Sequence, residues 1–91
     1  MKSAAEITVR GFVQGVGFRW FTDKKARELG LCGNVMNLSN GDVLVNVEGD
    51  KPVIEQFIQI LHKGPAFSKV QNVQVSWRPA SGRFSGFFIE Q

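Results

Sequence analysis

Residues 11–21 read Gly-Phe-Val-Gln-Gly-Val-Gly-Phe-Arg-Trp-Phe, and the pattern changes twice within this short stretch. An apolar strand runs to Val13, glycines at 15 and 17 interrupt it, and helical spacing begins near Phe18. Such a loop can turn several backbone N–H groups toward one point, and the helix N-terminus adds a partial positive charge there. Arg19 brings a permanent cation whose fork of donors suits a phosphate or a carboxylate. The stretch therefore predicts a strand–loop–helix unit that binds an anion, and a tetrahedral phosphate uses such donors best.

Two well-known phosphate loops do not match this stretch. The dinucleotide-binding pattern has a third glycine three residues after the second, and Trp20 stands there instead. The P-loop needs Gly-Lys-Ser/Thr, which is absent. On this stretch alone, a plain strand-to-helix turn, in which Gly15 and Gly17 only permit positive φ, remains an open alternative.

The sequence on either side of the loop predicts alternating strands and helices. Apolar alternation indicates a strand from about Glu6 to Val13, and the helix after the loop ends at Gly30. Strands are then expected at Gly33–Leu38 and Asp42–Glu48. The Asn40-Gly41 pair between them favours a primed hairpin turn.

The second half of the chain adds another helix and two more strands. Asp50 is a candidate cap and Pro52 fits the first turn of a helix that Gly64-Pro65 ends. A fourth strand is expected at about Val70–Arg78 and a short closing strand at Gly86–Ile89. The order β-α-β-β-α-β with an extra C-terminal strand predicts an α+β sandwich of ferredoxin-like type, with two helices on one face of an antiparallel sheet.

Length and composition narrow the class of protein. The chain has 91 residues, 43% of them hydrophobic and 21% charged, which suits a single domain spanning residues 1–91. A net charge of +3 favours small anions and is weak support for nucleic acid binding. The only cysteine, Cys32, has no partner for an internal disulfide, and no apolar run suggests a signal peptide or a membrane span. We expect a cytoplasmic monomer that binds neither nucleic acid nor membrane.

The sequence around the loop also resembles the acylphosphatase signature. The resemblance extends from Thr8 to Ile89, and its most specific part is the run from Val13 to Arg19. Further matches are Ala26, Leu29, Gly30, Leu31, Gly33, Val35, Met36, Asn37, Asn40, Gly41, Val43, Phe57, Gly64, Pro65, Phe87, Phe88 and Ile89. In that family the loop and its arginine bind the phosphate of an acyl phosphate, and an asparagine orients the attacking water.

The resemblance implies a role for each matching site residue. The implied phosphate-binding residues are Gln14, Gly15, Val16, Gly17, Phe18 and Arg19. The implied catalytic residues are Arg19 and Asn37, with a small-molecule acyl phosphate as substrate and inorganic phosphate as product and inhibitor. Without the resemblance, the favoured interpretation of Asn37 is a polar residue beside a turn, where asparagine is common.

The sequence lacks metal-binding and nucleophile–base arrangements, and this absence is compatible with the chemistry that the resemblance implies. No His, Cys and Asp residues have metal-ligand spacing, and no Ser-His-Asp or Cys-His arrangement occurs, so we expect no metal or cofactor. A carboxylate leaving group, with an ordinary pKa of about 4, departs without a general acid. What remains is to hold the phosphoryl group and to place a water in line. Because no protein base is apparent, the proton of that water is expected to pass to the substrate's own phosphate.

The chain departs from the family pattern at a few positions. Asn34 replaces a usual aromatic residue, Asn40 a usual aspartate, and Leu44 a frequent acidic residue. None of these is an implied catalytic position. The ending Glu90-Gln91 differs from the usual basic or aromatic ending, which leaves open whether this segment supports the arginine.

Two functions without turnover remain as alternatives. One is a module that binds a phosphate ligand but has lost catalysis, since a fold can keep a site without its function. The other is an RNA-binding module, because residues 10–18 superficially resemble an RNP1 motif. That run, however, lies on the first strand and breaks into a loop after Val13, whereas RNP1 aromatics alternate along a pleat.

Overall fold

A five-stranded sheet with two helices makes up the computed structural model, which describes residues 1–91. The elements in chain order are β1 Lys2–Phe12, α1 Phe18–Glu28, β2 Cys32–Asn37, β3 Val43–Asp50, α2 Lys51–Lys63, β4 Lys69–Pro79 and β5 Phe87–Ile89. The strand order is β4-β1-β3-β2-β5, with antiparallel pairs except for β5, which is parallel to β2. The predicted ferredoxin-like fold class is confirmed, and the closing strand makes the sheet mixed instead of wholly antiparallel.

The C-terminal ends of β1, β2 and β5 all lie at the same end of this sheet. β1 and β2 are both antiparallel to β3, so they run in the same direction, and β5 follows β2. The loop after β1, the last residue of β2 and the segment after β5 are therefore neighbours in space although they are far apart in sequence.

Branched apolar side chains on one face of the sheet form the core. Ile7 and Val9 of β1 lie opposite Val45 and Val43 of β3, and all four are 0% exposed. The helices add their own buried side chains, which are Phe18, Thr22, Ala26, Ile54, Phe57, Ile58 and Leu61. Full burial of one such apolar side chain contributes about 1.5–3 kcal/mol. This packing fixes the strand ends that carry the site.

β1 is longer than its sequence pattern predicts, and it is irregular at its end. It begins at Lys2 instead of Glu6, because residues 2–5 pair with residues 47–50 of β3 although Ser-Ala-Ala shows no alternation. Its register with β4 shifts between Arg10 and Gly11. A Cβ atom at Gly11 would collide with the carbonyl oxygen of Lys69, so only glycine fits this close approach. The irregularity lies just before the chain leaves the sheet for the loop.

The turn between β2 and β3 is not the primed turn that the sequence predicts. Primed type I turns need positive φ at both central residues, whereas only Gly41 has a positive φ here, 98°. Gly41 N–H donates to the Leu38 carbonyl at 3.2 Å, and Leu38 N–H donates to the Asp42 carbonyl at 2.8 Å. Asn40 Oδ1 instead accepts a hydrogen bond from Asp42 N–H at 3.0 Å. The result is a three-residue loop that ends in a left-handed glycine.

The helix ends agree with their predicted positions but not with every predicted contact. Gly30 follows α1 with φ 71°, and Gly64 ends α2 with φ 67°. Asp50 occupies the N-cap of α2, yet its carboxylate accepts no hydrogen bond from the helix. That carboxylate lies 3.6 Å from the N-terminal ammonium of Met1 and 3.9 Å from Lys2 Nζ. Neither helix has the length and apolar character needed to cross a membrane.

Candidate active site

The loop between β1 and α1 presents a row of unpaired backbone donors. Gly15 and Gly17 take left-handed φ values of 75° and 78°, and Gly17 is the N-cap of α1, accepting a hydrogen bond from Phe21 N–H at 2.9 Å. No backbone N–H from Gln14 to Trp20 donates to a carbonyl or side chain of the protein. Residues 14–17, here named the cradle loop, thus combine free N–H groups with the positive end of a helix, an arrangement that binds anions.

Arg19 stands beside the cradle loop with its charge uncompensated. The side chain lies in the first turn of α1 and forms no ion pair with a carboxylate. Its Nη1 donates to the backbone carbonyl of Glu90 at 3.2 Å, and Glu90 N–H donates to the Val35 carbonyl at 2.9 Å. The segment after β5 therefore supports the guanidinium through a main-chain atom, so the unusual side chains of that segment do not remove the support.

Asn37, the last residue of β2, contributes a buried polar atom. It pairs with Val43 of β3, so its side chain lies on the face of the sheet that carries the helices. Its Oδ1 is buried and has no hydrogen-bond partner in the protein. An unsatisfied buried acceptor costs about 1–3 kcal/mol, which is a reason to look for a ligand that donates to it.

One cavity of about 200 Å³ joins these groups. Its lining consists of Val13, Gly15, Gly17, Phe18, Arg19, Trp20, Asn37 and Ile89. The structure thus brings together Asn37, Arg19 and part of the cradle loop, all of which the sequence analysis selected. Trp20 and Ile89 were not selected. Trp20 directly follows Arg19, so the sequence could have indicated it as a neighbour of the site. Ile89 could be found only by knowing where β5 lies.

Two selected residues, Gln14 and Val16, are not part of the cavity lining. The half-buried Val16 packs against the hydrophobic core. Gln14 Nε2 donates to the Leu38 carbonyl at 2.8 Å and to the Asp42 carbonyl at 2.9 Å. Its side chain therefore connects the cradle loop to the β2–β3 turn that follows Asn37, and only its backbone N–H remains free for an anion.

Asp42 completes this connection from the other side of the turn. Its side chain is 7% exposed, and Oδ2 lies 3.5 Å from Arg10 Nη2 and accepts a hydrogen bond from Asn40 Nδ2 at 3.3 Å. The same residue's backbone carbonyl accepts from Gln14. Contacts from β1, the turn and the cradle loop thus converge on Asp42 and fix the turn against the loop.

A second cavity of about 190 Å³ lies beneath the β4–β5 connection, and three of its four charged side chains, Glu6, Glu48 and Arg78, have hydrogen-bond partners. Arg78 Nη2 lies 3.2 Å from Glu6 Oε1. Glu48 accepts hydrogen bonds from Ser81 Oγ at 2.5 Å, from Ser81 N–H at 3.1 Å and from Gly82 N–H at 3.0 Å. Desolvation raises the pKa of the Glu48 carboxyl, but these hydrogen bonds and the charge of Arg83 outweigh it and lower the pKa. None of its lining residues belongs to a helix, so this cavity lacks the free N–H groups of a helix N-terminus that the first one has. No group of three or more His, Cys, Asp or Glu residues is arranged to hold a metal ion.

Known proteins match the chain along almost its whole length. A family model described as Acylphosphatase matches residues 5–89. An acylphosphatase of Dehalococcoides mccartyi is 47% identical over 83 residues, covering 90% of this chain and 91% of its own. One of Methanococcoides burtonii is 45% identical over 89 residues, covering 98% and 93%. The crystal structure of an acylphosphatase from Bacillus subtilis superposes with a TM-score of 0.95 at 32% identity, over 98% of this chain and 99% of the other. The chain therefore belongs to the acylphosphatase family, hydrolases that act on small-molecule acyl phosphates.

Proposed function

We propose that the cavity between the cradle loop and Asn37 hydrolyses acyl phosphates to a carboxylate and inorganic phosphate, without a metal ion. One observation carries this proposal: unpaired backbone donors, an arginine without an ion-pair partner and a buried unsatisfied acceptor lie at the same cavity. The first two suit the charged phosphoryl group, and the third suits the attacking water.

The phosphoryl group binds to the cradle loop and to Arg19. The free N–H groups from Gln14 to Phe18 donate to its equatorial oxygens, and Arg19 balances their charge with a planar fork of donors. These contacts exist in the ground state and strengthen in the transition state, as negative charge builds up on the oxygens that they contact. Such electrostatic stabilisation is the main form of catalysis in phosphoryl transfer.

Asn37 orients the water for attack. Its Oδ1 accepts a hydrogen bond from the water, so that a lone pair of the water oxygen faces phosphorus opposite the leaving oxygen. The new bond joins the water oxygen to phosphorus, and the bond between phosphorus and the carboxyl oxygen breaks. The carboxylate keeps that electron pair, and the proton of the water passes to a phosphate oxygen.

Gln14 acts as a positioning residue in this mechanism. Its two hydrogen bonds, at 2.8 and 2.9 Å, tie the cradle loop to the carbonyls of Leu38 and Asp42. Leu38 directly follows Asn37, so this connection sets the distance between the phosphate contacts and the water contact.

Three further properties belong to the proposal. Inorganic phosphate competes with substrate for the cradle loop, and at a hundredfold excess over its Kd it stabilises the fold by about 2.7 kcal/mol. One chain supplies every group of the site, so activity requires no second copy, and the protein acts as a monomer in this proposal. The single free cysteine, Cys32, suits a reducing compartment such as the cytoplasm.

Turnover of an acyl phosphate by the purified chain, with and without EDTA, tests the proposal. Arg19→Ala should weaken phosphate inhibition and lower kcat, whereas Asn37→Ala should lower kcat by roughly 10²-fold and leave phosphate inhibition intact. Arg78→Ala, which removes the same charge outside the cavity, serves as the control. Loss of activity in EDTA that zinc or magnesium restores would overturn the metal-free mechanism.

A further inference from the structure

Two apolar side chains form the exposed rim of the cavity. Val13 and Phe18 belong to its buried wall, each 1% exposed, whereas Trp20 is 62% exposed and Ile89 36%. Trp20 and Ile89 are here named the acyl rim. They are the only large hydrophobic residues of the chain that are both exposed and part of this cavity.

Each residue of the acyl rim is positioned by a contact within the protein. Trp20 lies in the first turn of α1 beside Arg19, and Lys24 Nζ lies over its ring, 5.3 Å from the centroid. Such a cation–π contact one helical turn away favours a ring position against the helix, by about 0.5–1 kcal/mol at an exposed site. Ile89 is held by the parallel pairing of β5 with β2, in which it lies opposite Val35. The acyl rim is therefore an apolar surface on ordered elements of the fold, next to the phosphate contacts.

We infer that the acyl rim binds the acyl group of the substrate, and that the enzyme prefers acyl phosphates with an aromatic or large apolar acyl group. This inference rests on the proposed function. An acyl phosphate has one charged end and one end set by its acyl group. With the phosphoryl group on the cradle loop and Arg19, the acyl rim is the exposed apolar surface that the same cavity offers to the acyl group. An aromatic ring buries area against an indole ring, while a methyl group buries little.

The ratio of kcat/KM for benzoyl phosphate to that for acetyl phosphate measures this preference. Trp20→Ala should lower the ratio about threefold to tenfold, the range expected for one lost aromatic contact, and Trp20→Phe should retain most of it. The inhibition constant for inorganic phosphate should not change, because the phosphate contacts remain. Trp77→Ala is the matched control, since Trp77 is 39% exposed, has Lys51 Nζ 5.0 Å from its ring centroid, and does not line the cavity. A ratio that Trp20→Ala leaves unchanged would refute the acyl rim.

Binding without turnover separates this inference from the proposed function. The chain has two tryptophans, so in Trp77→Phe the fluorescence comes from Trp20 alone. Phenylphosphonate should bind more tightly than methylphosphonate and change that fluorescence, and equal affinities would count against the acyl rim. If neither acyl phosphate is hydrolysed while this preference persists, the proposed hydrolysis fails and the acyl rim stands.

Discussion

Gln14→Leu removes the amide that joins the cradle loop to the β2–β3 turn while keeping the side chain's approximate size. The two hydrogen bonds that it removes contribute about 0.5–1.5 kcal/mol each. Neither carbonyl is left without a donor, because Leu38 O still accepts from Gly41 N–H and Asp42 O from Leu38 N–H. The expected loss of unfolding free energy is therefore about 1–3 kcal/mol, which lowers Tm by roughly 4–8 °C per kcal/mol in a domain of this size.

The kinetic effect should be larger than the loss of stability suggests. A displacement of about 1 Å between catalytic groups can cost 10²-fold in rate, so kcat should fall by roughly 10- to 100-fold. Phosphate inhibition should stay near its original value, because the backbone donors and Arg19 remain. The assay is steady-state hydrolysis of an acyl phosphate with phosphate as inhibitor, at a temperature where the variant is fully folded.

Asn46→Ala is the matched control for this experiment. It removes a comparable amide hydrogen bond, Asn46 Nδ2 to Asn34 Oδ1 at 3.0 Å, which lies away from the cavity. This variant should lose stability and keep its kcat. The positioning role of Gln14 would be refuted if Gln14→Leu behaved as this control does. It would also be refuted if phosphate inhibition weakened in proportion to kcat, since the amide would then act on the ligand.

Four further variants, at three positions, test other contacts. Thr22→Val should raise the unfolding free energy by about 1 kcal/mol in denaturant titrations, because the buried Thr22 Oγ1 has no hydrogen-bond partner; a lower value would mean that the hydroxyl is satisfied. Glu48→Gln should be less stable than the wild type at pH 7. Because folding lowers the pKa of Glu48, this difference should be lost as the pH falls through the folded-state pKa; a gap that persists at pH 2 would contradict the contact with Ser81. Glu90→Ala should leave phosphate inhibition unchanged, whereas Glu90→Pro, which removes the N–H donated to Val35, should weaken it severalfold; equal effects of the two changes would argue against main-chain support of the arginine.

The parts of the fold that follow from periodicity were predictable. Alternation in β3 and helical spacing after the cradle loop each reflect burial of one face, and the structure has both elements within a few residues of their predicted limits. The first residues of β1 were missed because a Ser-Ala-Ala segment becomes a strand through its pairing with β3. The turn at Asn40-Gly41 was misassigned because one side-chain hydrogen bond, from Asp42 N–H to Asn40 Oδ1, favours a different loop.

The site was predictable where topology alone brings its parts together. Once β1 and β2 are placed on either side of β3, their C-terminal ends lie at the same end of the sheet. The cradle loop and Asn37 must therefore be close to each other. The hydrogen bonds of the Gln14 side chain were not predictable, because its acceptors are backbone carbonyls in a turn whose conformation was itself misassigned.

The position of β5 in the sheet could not be predicted from sequence patterns. Phe87–Ile89 is too short to show alternation. Its residue types also do not indicate which of the two edge strands of a four-stranded sheet it pairs with. Pairing with β2 places Ile89 beside the cavity and the Glu90 carbonyl beside Arg19. One of these contacts depends on an apolar side chain, and the other is made by a main-chain oxygen that every residue type supplies. Substitutions at Glu90 that keep its main-chain N–H can therefore accumulate without loss of the arginine's support, while a change in the pairing of β5 would remove both contacts together.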